Sequence, residues 1–386
     1  MSEVVERSTA MEKLSEPAEV LFNSYVKSWK DQGKKVMGYT GLYIPEEIIY
    51  AAGILPFRLR GTGATKTTGA DSWYGPVNCS FAKCCLELVI DGDYDFLDGG
   101  VISYECDHMH RLYDTWRVGA PDKVPPFFHY YPLGHTMHTE NGLKLFTVET
   151  LKFIKHLEEQ FGAKITEEGL KDAIAVYNET RNLLHKLYDL RIKDEVPITG
   201  TETLGVIVAA VSMWRDEYNR LLRELIDDLG EIEGISCSDK PRLMIVGSLN
   251  DDPALVKLIE DAGSVVVADS LCLGARYFWD LVEEEGDPLH DILTRYLNNI
   301  PCPRMFGHYS ERWQFLIDTA KRANVDGVIL ENIRFCDMHG ADNTLFENDL
   351  KKEGIPSVNI EREYGPLSDA GRIRTRVQAF LEAIKR

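Results

Sequence analysis

The chain has 386 residues, 44% hydrophobic and 27% charged, which excludes a disordered or collagen-like protein and leaves room for two or three domains. Its 43 basic residues are outnumbered by 62 acidic ones, a net charge of −19 that excludes broad binding to nucleic-acid phosphate or an anionic membrane. No run approaches the roughly 20 apolar residues of a membrane span. The best, 204–214, is too short, and residues 1–16 lack the apolar centre of a secretion signal. The expectation is a soluble, cytoplasmic protein whose eight cysteines stay reduced. None of them stands in a C-x-x-C pair, so a zinc ribbon has no support.

In chain order, residues 1–34 read as a helical arm of mixed charge and 35–139 as a first α/β lobe. Within that lobe, 35–40 is a short mixed run. Pro45 with Glu46 and Glu47 opens a helix, where proline and carboxylates suit the first turn. Strands are expected at 54–59, 99–104 and 126–131, with a helix over 79–90. Residues 140–234 form a helical middle section, with helical patterns at 140–161, 167–191 and 204–229. The second α/β lobe, 235–386, alternates strands (242–246, 264–268, 327–331, 356–360) with helices (253–262, 311–323), and a C-terminal helix closes it at 369–386. Such alternation implies parallel sheets covered on both faces. Two units of similar size suggest a pseudo-repeated pair with a cleft between them.

The nucleotide motifs fail. Gly61-Thr-Gly63-Ala-Thr-Lys66 lacks the Gly-Lys-Ser/Thr of a Walker A loop, and Lys66 stands where the dinucleotide fingerprint needs its third glycine. The cysteines inform by position. Cys79 starts a predicted helix, where thiolate is favoured. Cys106 and Cys336 each lie just past a predicted strand, where open α/β sheets collect ligands. Cys84 and Cys85 lie within a helix and read as small buried hydrophobes; Cys237 lies in a linker; Cys272 and Cys302 lie near loops without a partner motif. His108-Met-His110 would serve a metal on a strand, but no third ligand is evident, and His135 and His138 would share a helix face. His339, close to Cys336, is the candidate for proton delivery.

The run Tyr43-Ile-Pro-Glu-Glu47-Ile-Ile-Tyr-Ala-Ala-Gly53-Ile-Leu-Pro56-Phe-Arg58 resembles the opening block of the 2-hydroxyacyl-CoA dehydratase and benzoyl-CoA reductase family. Cys79-Ser80, Cys106-Asp107 and Phe335-Cys336-Asp337 resemble its three cysteine blocks, and Gly354-Ile-Pro356 with the segment from Gly371 to Glu382 its closing block. The resemblance runs from about residue 35 to the end. Length and texture are most similar to the smaller cluster-bearing subunit of ATP-dependent benzoyl-CoA reductases.

The resemblance implies an α/β fold of two doubly wound, flavodoxin-like parallel-sheet lobes with a helical section between them. It implies an iron–sulfur cluster, 4Fe–4S in type, held by Cys79, Cys106 and Cys336. It implies partners: a related cluster-bearing subunit, an ATPase that activates electrons, ferredoxin as upstream donor, and an acyl-CoA substrate such as benzoyl-CoA. The expected function is reduction of the benzoyl-CoA ring. The alternatives are a subunit of a (R)-2-hydroxyacyl-CoA dehydratase and a non-catalytic iron–sulfur carrier. Cys84 or Cys85 as a fourth ligand would close the cluster and suit it to electron relay.

Overall fold

The computed structural model describes residues 8–136, 139–232, 234–365 and 369–384. In the first lobe, β1 (Val36–Tyr39), β2 (Leu55–Arg58), β3 (Gly99–Ser103) and β4 (Phe127–Tyr131) form a sheet in the order β2-β1-β3-β4. Every pairing in it is parallel. A two-stranded antiparallel ribbon, β5 (Glu195–Val196) with β6 (Ile235–Ser236), precedes the second lobe. There β7 (Arg242–Gly247), β8 (Val265–Ser270), β9 (Gly327–Ile333) and β10 (Ser357–Arg362) form a second parallel sheet, ordered β10-β9-β7-β8. Read from its other edge, this order is β8-β7-β9-β10. Counted within its own lobe, each sheet therefore runs second, first, third, fourth, which is the flavodoxin-like order.

Side-chain alternation explains why both sheets are covered twice. In the first lobe Val36, Leu55, Phe57 and Ile102 join the core under helices Ser24–Asp31, Ser80–Asp91 and Asp107–Gly119. Met37, Tyr39, Val101, Phe127 and Tyr131 join the opposite core with helices Glu46–Ala51, Glu140–Phe161 and Pro288–Asn298. The second sheet repeats the plan. Leu243, Ile245 and Ile329 face helices Pro253–Asp261 and Ala370–Ile384, while Met244, Val246, Val328 and Leu330 face Tyr309–Arg322 and Asp337–Lys352.

The short mixed run at 35–40 is β1, a central strand. Its four residues are all buried, because a strand paired on both edges and covered on both faces has no solvent side. The helical pattern at 204–229 is two helices, Gly200–Ala210 and Arg215–Glu231. The first is opened by a capping box from Thr199 and Glu202. The 25-residue helix Glu167–Arg191 spans both lobes: Leu170 and Ile174 sit in the first lobe's core, and Leu183, Leu184 and Leu187 in the second's. Within the N-terminal segment, helix Thr9–Glu19 packs Leu14 and Ala18 into the second-lobe core, so this segment is anchored to the body.

Glu46 and Glu47 do more than face a helix dipole. Both are buried. Arg215 pairs with Glu46 at 2.6 Å, Arg181 pairs with Glu47, and the Tyr296 hydroxyl donates to Glu47 at 2.9 Å. Burial alone would raise the Glu47 pKa; the guanidiniums of Arg181 and Arg295 overcome it and hold the carboxyl below its ordinary value.

Candidate functional site

Cys79, Cys106 and Cys336 occupy one kind of position. Each is the N-cap of a helix: Ser80–Asp91, Asp107–Gly119 and Asp337–Lys352 respectively. None closes its helix with a side-chain cap bond, so each thiol sits at the positive end of a helix, near its first-turn N–H groups. Cys106 and Cys336 follow β3 and β9, the third strands of their lobes, and each precedes an aspartate. The chain order reverses beside these strands, where open α/β sheets bind ligands. All three thiols line one cavity of about 170 Å³ between the lobes, walled by apolar groups such as Phe81, Met109 and Ile333.

The loops carrying the cysteines are tied together by His108. One ring nitrogen meets the side-chain amide of Asn78 at 3.0 Å and the other meets the Phe335 carbonyl at 3.1 Å. Asn78 precedes Cys79, Phe335 precedes Cys336, and His108 follows Cys106 on its helix, so one imidazole holds all three loops. Phe335 adopts φ of +66°, a left-handed conformation that costs a non-glycine residue about 1 kcal/mol or more.

Glu105 closes the wall beside Cys106. Its carboxylate accepts from the Leu42 N–H at 2.6 Å, and burial raises its pKa while the Arg58 charge opposes the rise. Gly41, at φ +71°, is what lets this carboxylate in: a Cβ there would lie 1.5 Å from a carboxylate oxygen.

Burial governs the thiols. It raises the Cys79 pKa, pushes Cys106 up to about 12 and lifts Cys336 well above the ordinary thiol value. First-turn N–H groups, from Ala82 and Phe81, Met109 and His339, pull the other way. Without a bound cation these are thiols, and a metal that takes them as thiolates releases their protons.

His339 lines the same cavity and is buried. Burial, then the charges of Arg276 and Arg312, lowers its pKa well below the ordinary value, so the ring is neutral. Two cysteines without a motif also line the cavity, Cys272 and Cys302. The strand-end rule that singles out Cys106 and Cys336 applies to Cys272 too, since it follows β8 directly. Cys302 enters on a loop whose backbone N–H donates to the Tyr43 hydroxyl at 3.0 Å, a tertiary contact without sequence signature.

Other candidates are absorbed by the fold. Cys84 and Cys85 are buried in the first-lobe core and are not part of the cavity lining. Cys237 is buried beside the β5–β6 ribbon. His108 and His110 lie on a helix, where residues two apart point to different faces. His110 packs between Tyr104 and Tyr130. His135 is exposed and contacts the Arg304 carbonyl at 3.4 Å, while His138 lies outside the described residues. The Gly61–Lys66 loop is a packing turn: the Gly61 N–H donates to the Tyr364 hydroxyl at 3.1 Å, and Lys66 reaches Asp91 at 3.2 Å.

Among the described residues, no three His, Cys, Asp or Glu side chains converge on a single metal ion. A lone tetrahedral ion with bonds of about 2.3 Å would need sulfurs roughly 3.8 Å apart. An iron–sulfur cluster takes each thiolate on a different iron, so thiols spread around a cavity wall suit a cluster. The donor set, all sulfur and seated at three helix N-termini, fits such a group.

Fold and site together define a two-lobed α/β protein with a thiol-lined cavity between its lobes. Residues 41–384 match the family model described as 2-hydroxyglutaryl-CoA dehydratase, D-component, and the chain belongs to that family. It is 28% identical over 365 residues to the (R)-phenyllactyl-CoA dehydratase beta subunit of Clostridium sporogenes, covering 93% of this chain and 94% of that protein. It is 26% identical to a benzoyl-CoA reductase subunit of Thauera aromatica, with the same coverage of 93% and 94%. It is 27% identical to the beta subunit of (R)-2-hydroxyglutaryl-CoA dehydratase from Acidaminococcus fermentans, with 92% and 94% covered. Each relative is, by name, a subunit of an enzyme acting on a CoA thioester. No helix among the described residues is long and apolar enough to cross a membrane.

Proposed function

We propose that this chain is an iron–sulfur subunit of an ATP-dependent complex that reduces the ring of benzoyl-CoA to a cyclohexadiene-carboxyl-CoA. The observation that carries the reading is the convergence of Cys79, Cys106 and Cys336, each a helix N-cap and drawn from both lobes, on one cavity. These three would hold the cluster, a 4Fe–4S group in its simplest form. When bound, that group supplies single electrons at low potential.

The chain's own residues do the rest. The apolar wall at Phe81, Met109 and Ile333 excludes water, so negative charge gained by a substrate is protected from stray protons. Arg58, at the cavity wall, is a fixed cation that favours charge developing on a thioester oxygen. His339 is the candidate proton carrier, because a neutral imidazole offers one N–H and one acceptor nitrogen. The glycine loop at Gly61–Gly63 lacks the Walker A residues, which leaves ATP to a partner ATPase supplied by ferredoxin, beside a related cluster-bearing subunit.

The second reading is a (R)-2-hydroxyacyl-CoA dehydratase subunit, favoured by the relatives that carry that name. Two measurements test these readings. Iron and acid-labile sulfide per chain, on anaerobically purified protein, are expected to be stoichiometric and lost in Cys336→Ser; metal-free wild-type protein overturns both readings. ATP is then counted against product in the reconstituted complex. Consumption with every electron pair, on benzoyl-CoA, supports the reductase. Consumption only to start turnover, on a 2-hydroxyacyl-CoA, gives the lyase instead.

A further inference from the structure

Three thiols account for one cluster, yet five line this cavity, Cys272 and Cys302 being the others. Cys272 is not a stray side chain. It lies just past the end of the second strand of its lobe, and like Cys79 in the first lobe it comes to the cavity from the segment between the second and third strands, as Cys302 does further along. The buried Arg58 fixes it from two sides, donating to its Sγ at 2.9 Å and to its carbonyl at 3.2 Å. A guanidinium has no acceptor, so the sulfur receives this bond.

A second, independent observation points to an anionic guest. Arg58, Arg276 and Arg304 are all buried, and among the described residues none has a carboxylate within ion-pair distance. The Nε of each is also without a hydrogen-bond partner. Arg58 is in the cavity wall, the Arg276 charge acts on the Cys302 thiol, and Arg304 follows two residues after Cys302 in the chain. Three buried cations without a direct ion pair are costly, and the Glu105 carboxylate acts on Arg58 and Arg304 only at longer range, so negative charge in the cavity beside them is stabilised.

We propose that Cys272 and Cys302 are iron ligands too, making the cavity a five-thiolate site that holds more iron and sulfide than one cubane. A cubane is served by four thiolates, so five exceed one such unit. The buried arginines balance the thiolates' charge. The inference rests on the cluster reading above and extends its ligand set.

The test uses full-length, anaerobically purified protein: wild type, the Cys272→Ser/Cys302→Ser double variant, and Cys84→Ser as a buried cysteine outside the cavity. Melting of the metal-free forms, which ligation does not affect, is compared first. The double variant, Ser or Ala, that matches wild type is the one assayed. Wild type is expected to hold more than about four irons per chain. The double variant should fall to about four or fewer with an altered electron paramagnetic resonance spectrum, while Cys84→Ser matches wild type. Equal iron, sulfide and spectra in wild type and the double variant overturn this inference and leave the three-cysteine cluster standing. Absence of iron from wild type overturns both.

Discussion

The two lobes share a strand order but reach the cavity differently. In each, the third strand leads to a Cys-Asp pair that opens a helix, Cys106-Asp107 and Cys336-Asp337. In each, a glycine at or just beyond the end of the first strand admits a glutamate from the end of the third: Gly41 meets the Glu105 carboxylate, and Gly247 meets the Glu331 backbone carbonyl. After the second strand they part. The first lobe takes a long loop from Arg58 to the helix capped by Cys79, whereas the second turns at Cys272 directly after β8. Strand ends fix where side chains can meet, and loops decide which are presented there.

The largest expected effect tests the paired glycines. A Cβ at Gly247 would lie 2.1 Å from the Glu331 carbonyl oxygen, which is backbone and cannot yield, so Gly247→Ala should cost about 3 kcal/mol. Gly41→Ala meets the movable end of a side chain and carries mainly the strain of its positive φ, so about 1–2 kcal/mol is expected. Urea midpoints at constant slope measure both. A costlier Gly41→Ala would mean that Glu105 is as fixed as backbone.

His108→Ala comes next. It removes the links to Asn78 and Phe335, about 1 kcal/mol for each, and should loosen iron retention by slackening the cysteine loops. His110→Ala keeps both links and should melt closer to wild type. Equal melting and equal iron in the two variants would remove His108 from its place between the lobes.

The smallest effect is a slope. Glu47 is held below its ordinary value of 4.5, so its contribution to stability is complete above the unfolded pKa and is lost as pH falls through the folded one. Glu47→Gln should therefore flatten the decline of the urea midpoint on the acid side, below about pH 5. A decline as steep as wild type would show that other carboxylates set the acid limit.

Much of the fold was legible because most of its strands are short apolar runs bounded by glycine, proline or polar residues, as in β7 and β9. β1 was not, since Val36-Met-Gly-Tyr39 is brief and holds a glycine, and only its central place in the sheet makes it a strand. The division at Val211–Trp214 was hidden because the apolar pattern continues through it, and the helix that follows, Arg215–Glu231, has Trp214 as its N-cap with no side-chain cap bond. At the site, the strand-end argument brings Cys79, Cys106 and Cys336 to one cavity. Cys272 answers to that argument too but has no motif beside it, and Cys302 depends on a contact with Tyr43 distant in sequence.

The helix that joins the two cores has a mechanical consequence. At 25 residues it is about 37 Å long, with one end set in each lobe. Swinging the lobes apart would bend it or pull Leu170 and Ile174, or Leu183, Leu184 and Leu187, out of their sockets. Either deformation exposes packed side chains for no compensating contact. The width of the cleft is thus fixed when the chain folds, and the two lobes act as the jaws of a jig whose spacing does not depend on what lies between them.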